Sequence, residues 1–321
     1  MNITTDVDRA VELLRAGKLV AFPTETVYGL GADATSPAAM QLLYSVKRRP
    51  VDHPVIAHIP SADAMHEWAV RVSPEAEKLA AAFWPGPLTL ILHKRVPGGV
   101  DEATGGLETV GLRVPNHPLA LELLRRIEFP LAAPSANEFG CVSPTSAQHV
   151  AADIGPKVQM ILDGGPCAVG VESTIVDCTR QLPLIARVGG VPVESLAEVL
   201  GEMPEVAKDG AVSASGTLPS HYSPRARVEL VGAQEVSGRV GELVANGELV
   251  AVIGMRDQSE FEGAVCFPSP TTDAQYAQVL YDQIRAADTQ GVDVILAIPP
   301  SATGLGNAIC DRLCRAATPR V

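Results

Sequence analysis

The chain has 321 residues, of which 46% are hydrophobic and 4% aromatic, enough to fill one large and one smaller core. Its net charge of −12 argues against a broad nucleic-acid-binding surface, because lysine and arginine contacts to phosphates dominate that affinity. Apolar runs are of strand length and the N-terminus lacks the regions of a secretory signal, so we expect a cytoplasmic protein without membrane spans.

Helix and strand patterns alternate along the first two-thirds of the chain. Asp6 can cap a helix that ends near Gly17, and a buried strand follows at residues 19–22. Two further helices begin at the pairs Ser36-Pro37 and Ser73-Pro74, with serine as N-cap and proline at the first helical position. Other buried strands are predicted at residues 54–59, 88–92, 110–114 and 158–162. This alternation predicts an α/β fold.

Small residues without periodicity interrupt the pattern between residues 202 and 226, and we interpret this stretch as an interdomain linker. Beyond it, the predicted strands and helices alternate again: strands at 227–231, 249–253 and 292–298, and helices at 236–245, 273–287 and 305–316. We therefore expect a first domain of residues 1–201, a linker of residues 202–226 and a small α/β domain of residues 227–321.

The first segment with functional side chains is FPTETVYGLG at residues 22–31, at the end of a predicted strand, where ligands of open α/β sheets bind. Gly29 and Gly31 fit a loose dinucleotide-binding pattern. Five residues separate Gly31 from the next helix, however, so a structural turn is favoured over NAD binding.

Basic residues cluster at the end of the second predicted helix, where Lys47-Arg48-Arg49 is followed by Pro50, His53 and Pro54. We expect Lys47 and Arg49 to be exposed at this helix end. Cations at a helix C-terminus gain from the helix dipole, which explains them without a ligand. The prolines stiffen the segment, however, and lysine and arginine suit phosphate oxygens, so a phosphate site is an equal alternative.

Arg113 interrupts an apolar strand and needs a partner, for which a bound carboxylate or phosphate and a buried Asp or Glu are equally suitable. Small and neutral polar residues at 132–137, and glycine-rich turns at 163–177 and 187–190, would let a ligand approach the backbone or simply form turns. The sequence lacks a Walker A motif, a nucleophile elbow and a zinc-protease motif. The inventory favours binding of a nucleoside triphosphate with a small polar acid, and catalysis by positioning and charge stabilisation.

Six segments together resemble the YrdC-like family in content, order and spacing: FPTETVYGL at 22–30, Lys47-x-Arg49-Pro50 with His53-Pro54, FWPGPLT at 83–89, LRVP at 112–115, APSAN at 133–137 and ESTIVD at 172–177. HYSP at 221–224, GLG at 304–306 and DRL at 311–313 resemble the long, two-domain threonylcarbamoyl-adenylate synthases of that family. The resemblance covers nearly the whole chain. It implies a twisted mixed-sheet first domain with a concave basic cleft and a smaller Rossmann-like α/β second domain.

The resemblance also implies an activity, the synthesis of threonylcarbamoyl-adenylate and pyrophosphate from L-threonine, bicarbonate and ATP. This nucleotidyltransferase reaction serves N6-threonylcarbamoyladenosine modification of tRNA. Mg2+ would accompany ATP, with no tightly bound cofactor and no metal site formed by the protein. The expected partners are downstream tRNA threonylcarbamoyl transferase proteins, with weak direct contact to tRNA at most.

Carried over to matching positions, the resemblance assigns two sets of site residues. The set that would face L-threonine is Thr26, His58, Arg113, the Ala133 backbone and Ser173. The set that would face ATP is Lys47, Arg49, His53, Thr109, Ser135, Asn137, Ser143, Arg187 and Tyr222. Lys47 and Arg49 would be the catalytic pair at the phosphates. His53 stands where many relatives carry Asn, which would make its contact sensitive to pH near 6.5.

Two alternative functions belong to other classes. A non-catalytic RNA-binding module would use the same cations, but the acidic total and the few aromatic residues argue against it. A carbamoyl-adenylate-forming carbamoyltransferase would share the nucleotide domain, but such chains carry additional domains. The aromatic Tyr222, followed by Pro224, further suggests that the linker forms a lid over the bound substrates.

Overall fold

The computed structural model describes residues 3–95, 100–208, 212, 222–257 and 260–318, which divide into two compact units. The first unit draws on Met1–Phe139, Ser143–Ala168 and Glu172–Thr217, and the second on Gly140–Val142, Val169–Val171 and Leu218–Val321. The second unit is therefore discontinuous in sequence. The boundaries at residues 201 and 226 stay a prediction, as does the lid, because residues 209–211 and 213–221 of the linker lie outside the described residues.

The first unit is a mixed α/β structure. Its helices and strands are β1 (Ile3–Thr4), α1 (Val7–Arg15), β2 (Val20–Phe22), β3 (Gly29–Asp33), α2 (Pro37–Lys47), β4 (Ala57–His58), α3 (Met65–Trp68), β5 (Ala69–Val70), α4 (Pro74–Phe83), β6 (Leu88–Lys94), β7 (Thr109–Arg113), α5 (Pro118–Arg126), β8 (Leu131–Ala132), α6 (Ala147–Ile154), a 3-10 turn (Gly155–Lys157), β9 (Met160–Leu162), β10 (Thr174–Asp177), β11 (Leu184–Arg187), α7 (Val193–Leu200) and β12 (Glu205–Val206).

Among the described residues, these twelve strands form one sheet in the order β1-β9-β2-β3-β8-β4-β7-β6-β10-β11-β12, with β5 on β6. Neighbouring strands run both parallel and antiparallel, which confirms the predicted mixed sheet. Helices α1 and α5 cover part of one face, where Leu14 and Leu123 pack in one core cluster with Phe22 and Met160. A larger cluster that includes residues of α2, α4 and α6 forms the main core.

Helix starts follow the predicted capping. The Asp6 carboxylate accepts a hydrogen bond from the Arg9 amide at 3.0 Å. The Ser36 and Ser73 hydroxyls likewise accept from the third residue of α2 and α4, at 3.3 and 3.2 Å. Each cap satisfies an amide that has no partner within its helix, and a cap of this kind contributes about 1 kcal/mol.

The interpretation of Gly29 and Gly31 as a turn is wrong, because both lie in β3, paired antiparallel with β2. A Cβ at Gly29 would stand 3.1 Å from Ala133 Cβ, and one at Gly31 would stand 3.0 Å from the Leu131 side chain. These glycines therefore let β3 pack closely in the sheet. Both positions favour glycine because neighbouring side chains leave no room for a Cβ, and not because of a turn conformation.

The strand predicted at residues 54–59 is reduced to β4, Ala57–His58. Pro54 has no amide hydrogen to give to a neighbouring strand. The carbonyls of His53 and Pro54 instead accept hydrogen bonds from the Arg49 guanidinium. The segment before β4 is therefore held by a side chain.

The second unit contains β13 (Arg227–Leu230), α8 (Val236–Ala245), β14 (Val250–Gly254), β15 (Ala264–Cys266), α9 (Asp273–Thr289), β16 (Val294–Ile298) and α10 (Leu305–Ala317). Its four described strands are all parallel, in the order β13-β16-β14-β15. This confirms a second α/β domain in which strands alternate with helices. No helix in the described part of the chain is long and apolar enough to cross a membrane.

Candidate functional site

Strand pairing places several predicted site residues on one face of the large sheet. His58 in β4 pairs with Arg113 in β7, and Ile175 in β10 pairs with both Thr89 in β6 and Arg187 in β11. The register of β6 and β7 sets Thr89 beside Arg113. Directly paired residues share a face, so His58, Arg113, Thr89, Ile175 and Arg187 lie on the same face of β4, β7, β6, β10 and β11. We call the four polar residues among them the polar row.

Lys47 ends α2 and was expected at an exposed helix terminus. That expectation is wrong, because the residue is 2% exposed. Its ammonium group donates to the carbonyls of Ser135 and Asn137, at 2.5 and 2.6 Å. The chain turns sharply after it because Arg48 adopts a left-handed conformation, φ 53°. Lys47 therefore connects the end of α2 to the APSAN segment.

Arg49 is also buried, at 8% exposure, so the expectation of an exposed side chain fails here too. Its guanidinium donates to the Pro54 carbonyl at 2.8 Å and lies 5.4 Å from the centre of the Phe139 ring. His53 packs on the same ring at 5.7 Å. Phe139 thus joins two predicted ATP residues. Its position two residues after Asn137 was the only signal for it in the sequence.

Arg113 has a carboxylate partner within the protein, which is one of the two kinds of partner that the sequence left open. Its Nη2 atom lies 2.7 Å from Glu25 Oε1, and both side chains are nearly inaccessible, at 5% and 6% exposure. The other Glu25 oxygen accepts a hydrogen bond from the Asn116 amide at 3.0 Å. Glu25 is a residue that the site prediction missed, although it lies within the segment singled out at 22–31.

Thr26 follows Glu25 and is fully buried. Its hydroxyl lies 2.9 Å from that of Thr24, which in turn donates to the Val27 carbonyl at 2.6 Å. The loop between β2 and β3 therefore holds its hydroxyls through its own hydrogen bonds.

His58 is buried, 3% exposed, beside Arg113. Its ring meets Phe22 edge to face at 5.9 Å, and Nδ1 has no hydrogen-bond partner among the described residues. Burial and the neighbouring Arg113 charge lower the pKa of His58 to about 3, because both disfavour a cationic imidazole. At neutral pH the ring is therefore uncharged and keeps one nitrogen able to accept.

We expect His58 to make the protein acid-sensitive. The unfolded chain takes up a proton near pH 6.5 and the folded one only near pH 3, so the free energy of unfolding should fall as pH drops through that window. The slope from one such group is about 1.4 kcal/mol per pH unit. Urea unfolding between pH 7 and 5 should show this loss in the wild type and a smaller one in His58→Asn. Equal pH slopes would contradict the assignment.

A second hydrogen-bonded group lies at the start of β10. The Arg187 guanidinium donates to the Ser173 carbonyl at 2.8 Å and to its hydroxyl at 3.1 Å. The Ser173 hydroxyl also lies 2.8 Å from that of Thr89. One residue earlier, Glu172 accepts from the Ser143 hydroxyl at 2.6 Å. Thr89 and Glu172 lie in the FWPGPLT and ESTIVD motifs but were not predicted as site residues.

Gly189 allows the chain after β11 to touch this group. A Cβ there would stand 2.4 Å from the Glu172 carbonyl oxygen and 2.4 Å from the Ser173 carbonyl carbon, both backbone atoms. We expect Gly189→Ala to lower the free energy of unfolding by about 1–3 kcal/mol, as overpacking does. Gly241→Ala, in α8, meets no atom within 4 Å and should instead stabilise by about 0.5–1 kcal/mol. Urea denaturation of both variants checks the contrast, and two similar shifts would refute it.

The remaining predicted residues of the first unit surround these groups. The Ala133 amide donates a hydrogen bond to the Ile56 carbonyl at 2.9 Å. Ser135 forms an isolated antiparallel β-bridge with Gly29 of β3. Asn137 is buried and its amide nitrogen donates to the Glu138 carbonyl at 2.9 Å. Thr109 begins β7 and lines an apolar pocket with Pro54, Ile56, Leu107, Ile91 and Gly111.

Tyr222 belongs to the second unit and is buried there, 1% exposed. Its ring stacks on that of Tyr281 at 5.7 Å, and the Arg312 guanidinium lies 5.1 Å from its centre. Its backbone is left-handed, φ 61°. The assignment of Tyr222 to ATP therefore stays a prediction, whereas its packing within the second unit is clear.

Comparison with known proteins adds to this geometry. The Sua5/YciO/YrdC family model, described as telomere recombination, matches residues 12–189, and the model of the threonylcarbamoyl-AMP synthase C-terminal domain matches residues 191–318. A threonylcarbamoyl-AMP synthase of Pyrococcus abyssi is 42% identical, covering 97% of this chain and 94% of the relative. The corresponding protein of Bacillus subtilis is 38% identical, covering 98% and 94%. The structure of P. abyssi Sua5 complexed with L-threonine covers 99% of this chain and 97% of its own, with a TM-score of 0.91 and 38% identity.

Proposed function

The chain belongs to the Sua5/YciO/YrdC family, and from this premise we infer that it is a threonylcarbamoyl-AMP synthase, an ATP-dependent nucleotidyltransferase. The observation that carries the inference is the extent of the likeness, since 42% identity to a synthase of this name spans 97% of the chain. It favours this activity over an RNA-binding module and over a carbamoyl-adenylate-forming carbamoyltransferase.

The product contains threonine, one carbonyl group and AMP, so the substrates are L-threonine, bicarbonate and ATP. Bicarbonate loses hydroxide to give CO2, and the threonine amine forms a bond to the CO2 carbon. The amine proton and the hydroxide leave together as water, which gives a carbamate. A carbamate oxygen then attacks the α-phosphorus of ATP, and the bond from that phosphorus to the oxygen bridging to the β-phosphate breaks, releasing pyrophosphate. These steps need positioning and charge stabilisation and no covalent bond to the protein.

We assign Lys47 and Arg49 to the ATP phosphates. Both cations are fixed by backbone carbonyls and by packing, as a preorganised site requires. The assignment to ATP also includes Ser135, Ser143, Thr109, His53 and Arg187. ATP would enter with Mg2+, which takes oxygen ligands. The side-chain amide nitrogen of Asn137 donates to the Glu138 carbonyl. The side-chain amide oxygen of Asn137 is therefore the atom that would lie near Mg2+.

We assign the polar row around Arg113 to L-threonine. The Arg113 guanidinium would bind the carboxylate, and the uncharged His58 ring and the Thr26 hydroxyl would bind the side-chain hydroxyl. Ser173 and the Ala133 backbone lie on segments beside this row. Support comes from the shared face of β4 and β7 and from the L-threonine complex of the Pyrococcus abyssi relative.

The chemistry of the product indicates the reaction that consumes it. Threonylcarbamoyl-AMP is an activated acyl group, so a transferase must pass it to N6 of adenosine in tRNA, and we place this enzyme upstream of such tRNA threonylcarbamoyl transferase proteins in the cytoplasm. The acidic total charge is consistent with weak contact to tRNA itself.

The test is incubation of the full chain with ATP, bicarbonate and single amino acids. We expect pyrophosphate and an adenylate of threonylcarbamoyl mass only when L-threonine and bicarbonate are both present. Pyrophosphate release without an amino acid, or a carbamoyl product formed from carbamoyl phosphate, would overturn the assignment.

A further inference from the structure

Glu25 and Arg113 form a buried pair of opposite charges beside the face assigned to L-threonine. The two charged atoms lie 2.7 Å apart and neither side chain exceeds 6% exposure. Burying two charges is costly, and their mutual attraction offsets that cost only in good geometry. A buried ion pair beside a proposed ligand site therefore calls for an explanation beyond stability.

Three titratable groups that interact electrostatically with this pair, His58, His117 and Cys167, are uncharged at neutral pH. Burial and Arg113 lower the pKa of His58 to about 3, and burial raises the pKa of the Cys167 thiol to about 12. Burial also lowers the pKa of His117, so that ring stays uncharged. Glu25 and Arg113 thus present one negative and one positive group beside these neutral neighbours. An α-amino acid is a zwitterion with the complementary two charges on neighbouring carbon substituents.

We propose that Glu25 binds the α-ammonium group of the amino-acid substrate while Arg113 binds its carboxylate, so that the internal ion pair is exchanged for two pairs with the ligand. This proposal rests on the proposed function and adds a specificity-determining residue to it. The exchange keeps every charge compensated, which a ligand with a carboxylate alone would not do. Such a ligand would leave Glu25 buried without a cation.

The pair also explains how one site could discriminate between acids of the same shape. (R)-3-hydroxybutanoate keeps the carboxylate and the hydroxyl of L-threonine but lacks the ammonium group. It would have to compete with Glu25 for Arg113 and would gain no contact with Glu25 in return. A site built to pair with a charged group rejects the analogue that lacks it.

Calorimetry with the full chain tests this directly. We expect wild type to bind L-threonine at least tenfold more tightly than (R)-3-hydroxybutanoate. Glu25→Gln keeps the shape and an oxygen for the Asn116 amide but loses the charge, so the ratio of the two dissociation constants should fall at least tenfold. Glu172→Gln removes a carboxylate of similar burial that contacts Ser143, and should keep the wild-type ratio.

A purely structural Glu25 would weaken both ligands equally in Glu25→Gln and leave the ratio unchanged, which would overturn the proposal. Should that variant not fold, wild type alone still decides, because equal affinity for the two ligands excludes ammonium recognition. Failure of the proposed function has a different signature, namely no pyrophosphate from ATP, bicarbonate and L-threonine in wild type. Normal turnover with an unchanged ligand ratio would refute only the role of Glu25.

Discussion

Lys47→Ala is expected to lower the rate of pyrophosphate formation at least tenfold and to destabilise the first unit. The lost ammonium group would no longer stabilise charge on the ATP phosphates, and removal of one buried charged contact costs about 2–5 kcal/mol, or more than tenfold in rate. In addition, two carbonyls, of Ser135 and Asn137, would lose a donor at 2.5 and 2.6 Å. An unsatisfied buried group costs about 1–3 kcal/mol.

Steady-state kinetics and urea unfolding separate the two effects. Lys78→Ala removes an exposed lysine from α4 and should change neither rate nor stability. The comparison must be made well below the urea midpoint, where Lys47→Ala is still folded. Wild-type turnover by a folded Lys47→Ala protein would end the phosphate assignment.

Arg113→Met is expected to destabilise the protein by about 3–5 kcal/mol and to abolish measurable L-threonine binding. Methionine occupies a similar length of apolar space but leaves the Glu25 carboxylate buried without its cation, 6% exposed. The size of this penalty comes from the unpaired charge and not from lost packing. ATP binding should survive in the folded fraction, because Lys47 and Arg49 lie on other segments.

The double variant Arg113→Met with Glu25→Gln isolates that cause. Removing both charges should restore most of the stability, since replacing a buried pair by neutral groups is often close to neutral. L-threonine binding should stay lost. If the losses in the free energy of unfolding of the two single variants simply add in the double variant, the two side chains are not coupled.

Helix positions were predictable because local chemistry fixes them. Asp6, Ser36 and Ser73 each cap a helix with a side chain that the sequence displays, and α8 matches its predicted bounds. Strands were less predictable at their ends. β4 shrinks to two residues because the Arg49 side chain bonds the carbonyls of His53 and Pro54 just before it, and the sequence does not show where that side chain reaches.

Site residues show the same division between local and non-local causes. The motifs indicated Lys47, Arg49 and Arg113 as candidate ligand-binding cations. They did not show that Lys47 and Arg49 are buried, because burial depends on segments far away in sequence. Glu25 and Arg113 are separated by 88 positions, and no spacing rule connects them. Only the pairing of β4 with β7 and the loop after β2 bring such residues to one place.

The discontinuity of the second unit has a consequence for how the protein is made. Gly140–Val142 and Val169–Val171 belong to a unit whose remaining residues begin at Leu218. The Val142 carbonyl accepts a hydrogen bond from Arg285, 143 positions later. At a ribosomal rate of about 5–20 residues per second, Arg285 is synthesised roughly 7–30 s after Val142. During co-translational folding the segments Gly140–Val142 and Val169–Val171 therefore emerge before the residues from Leu218 onward with which they form a unit.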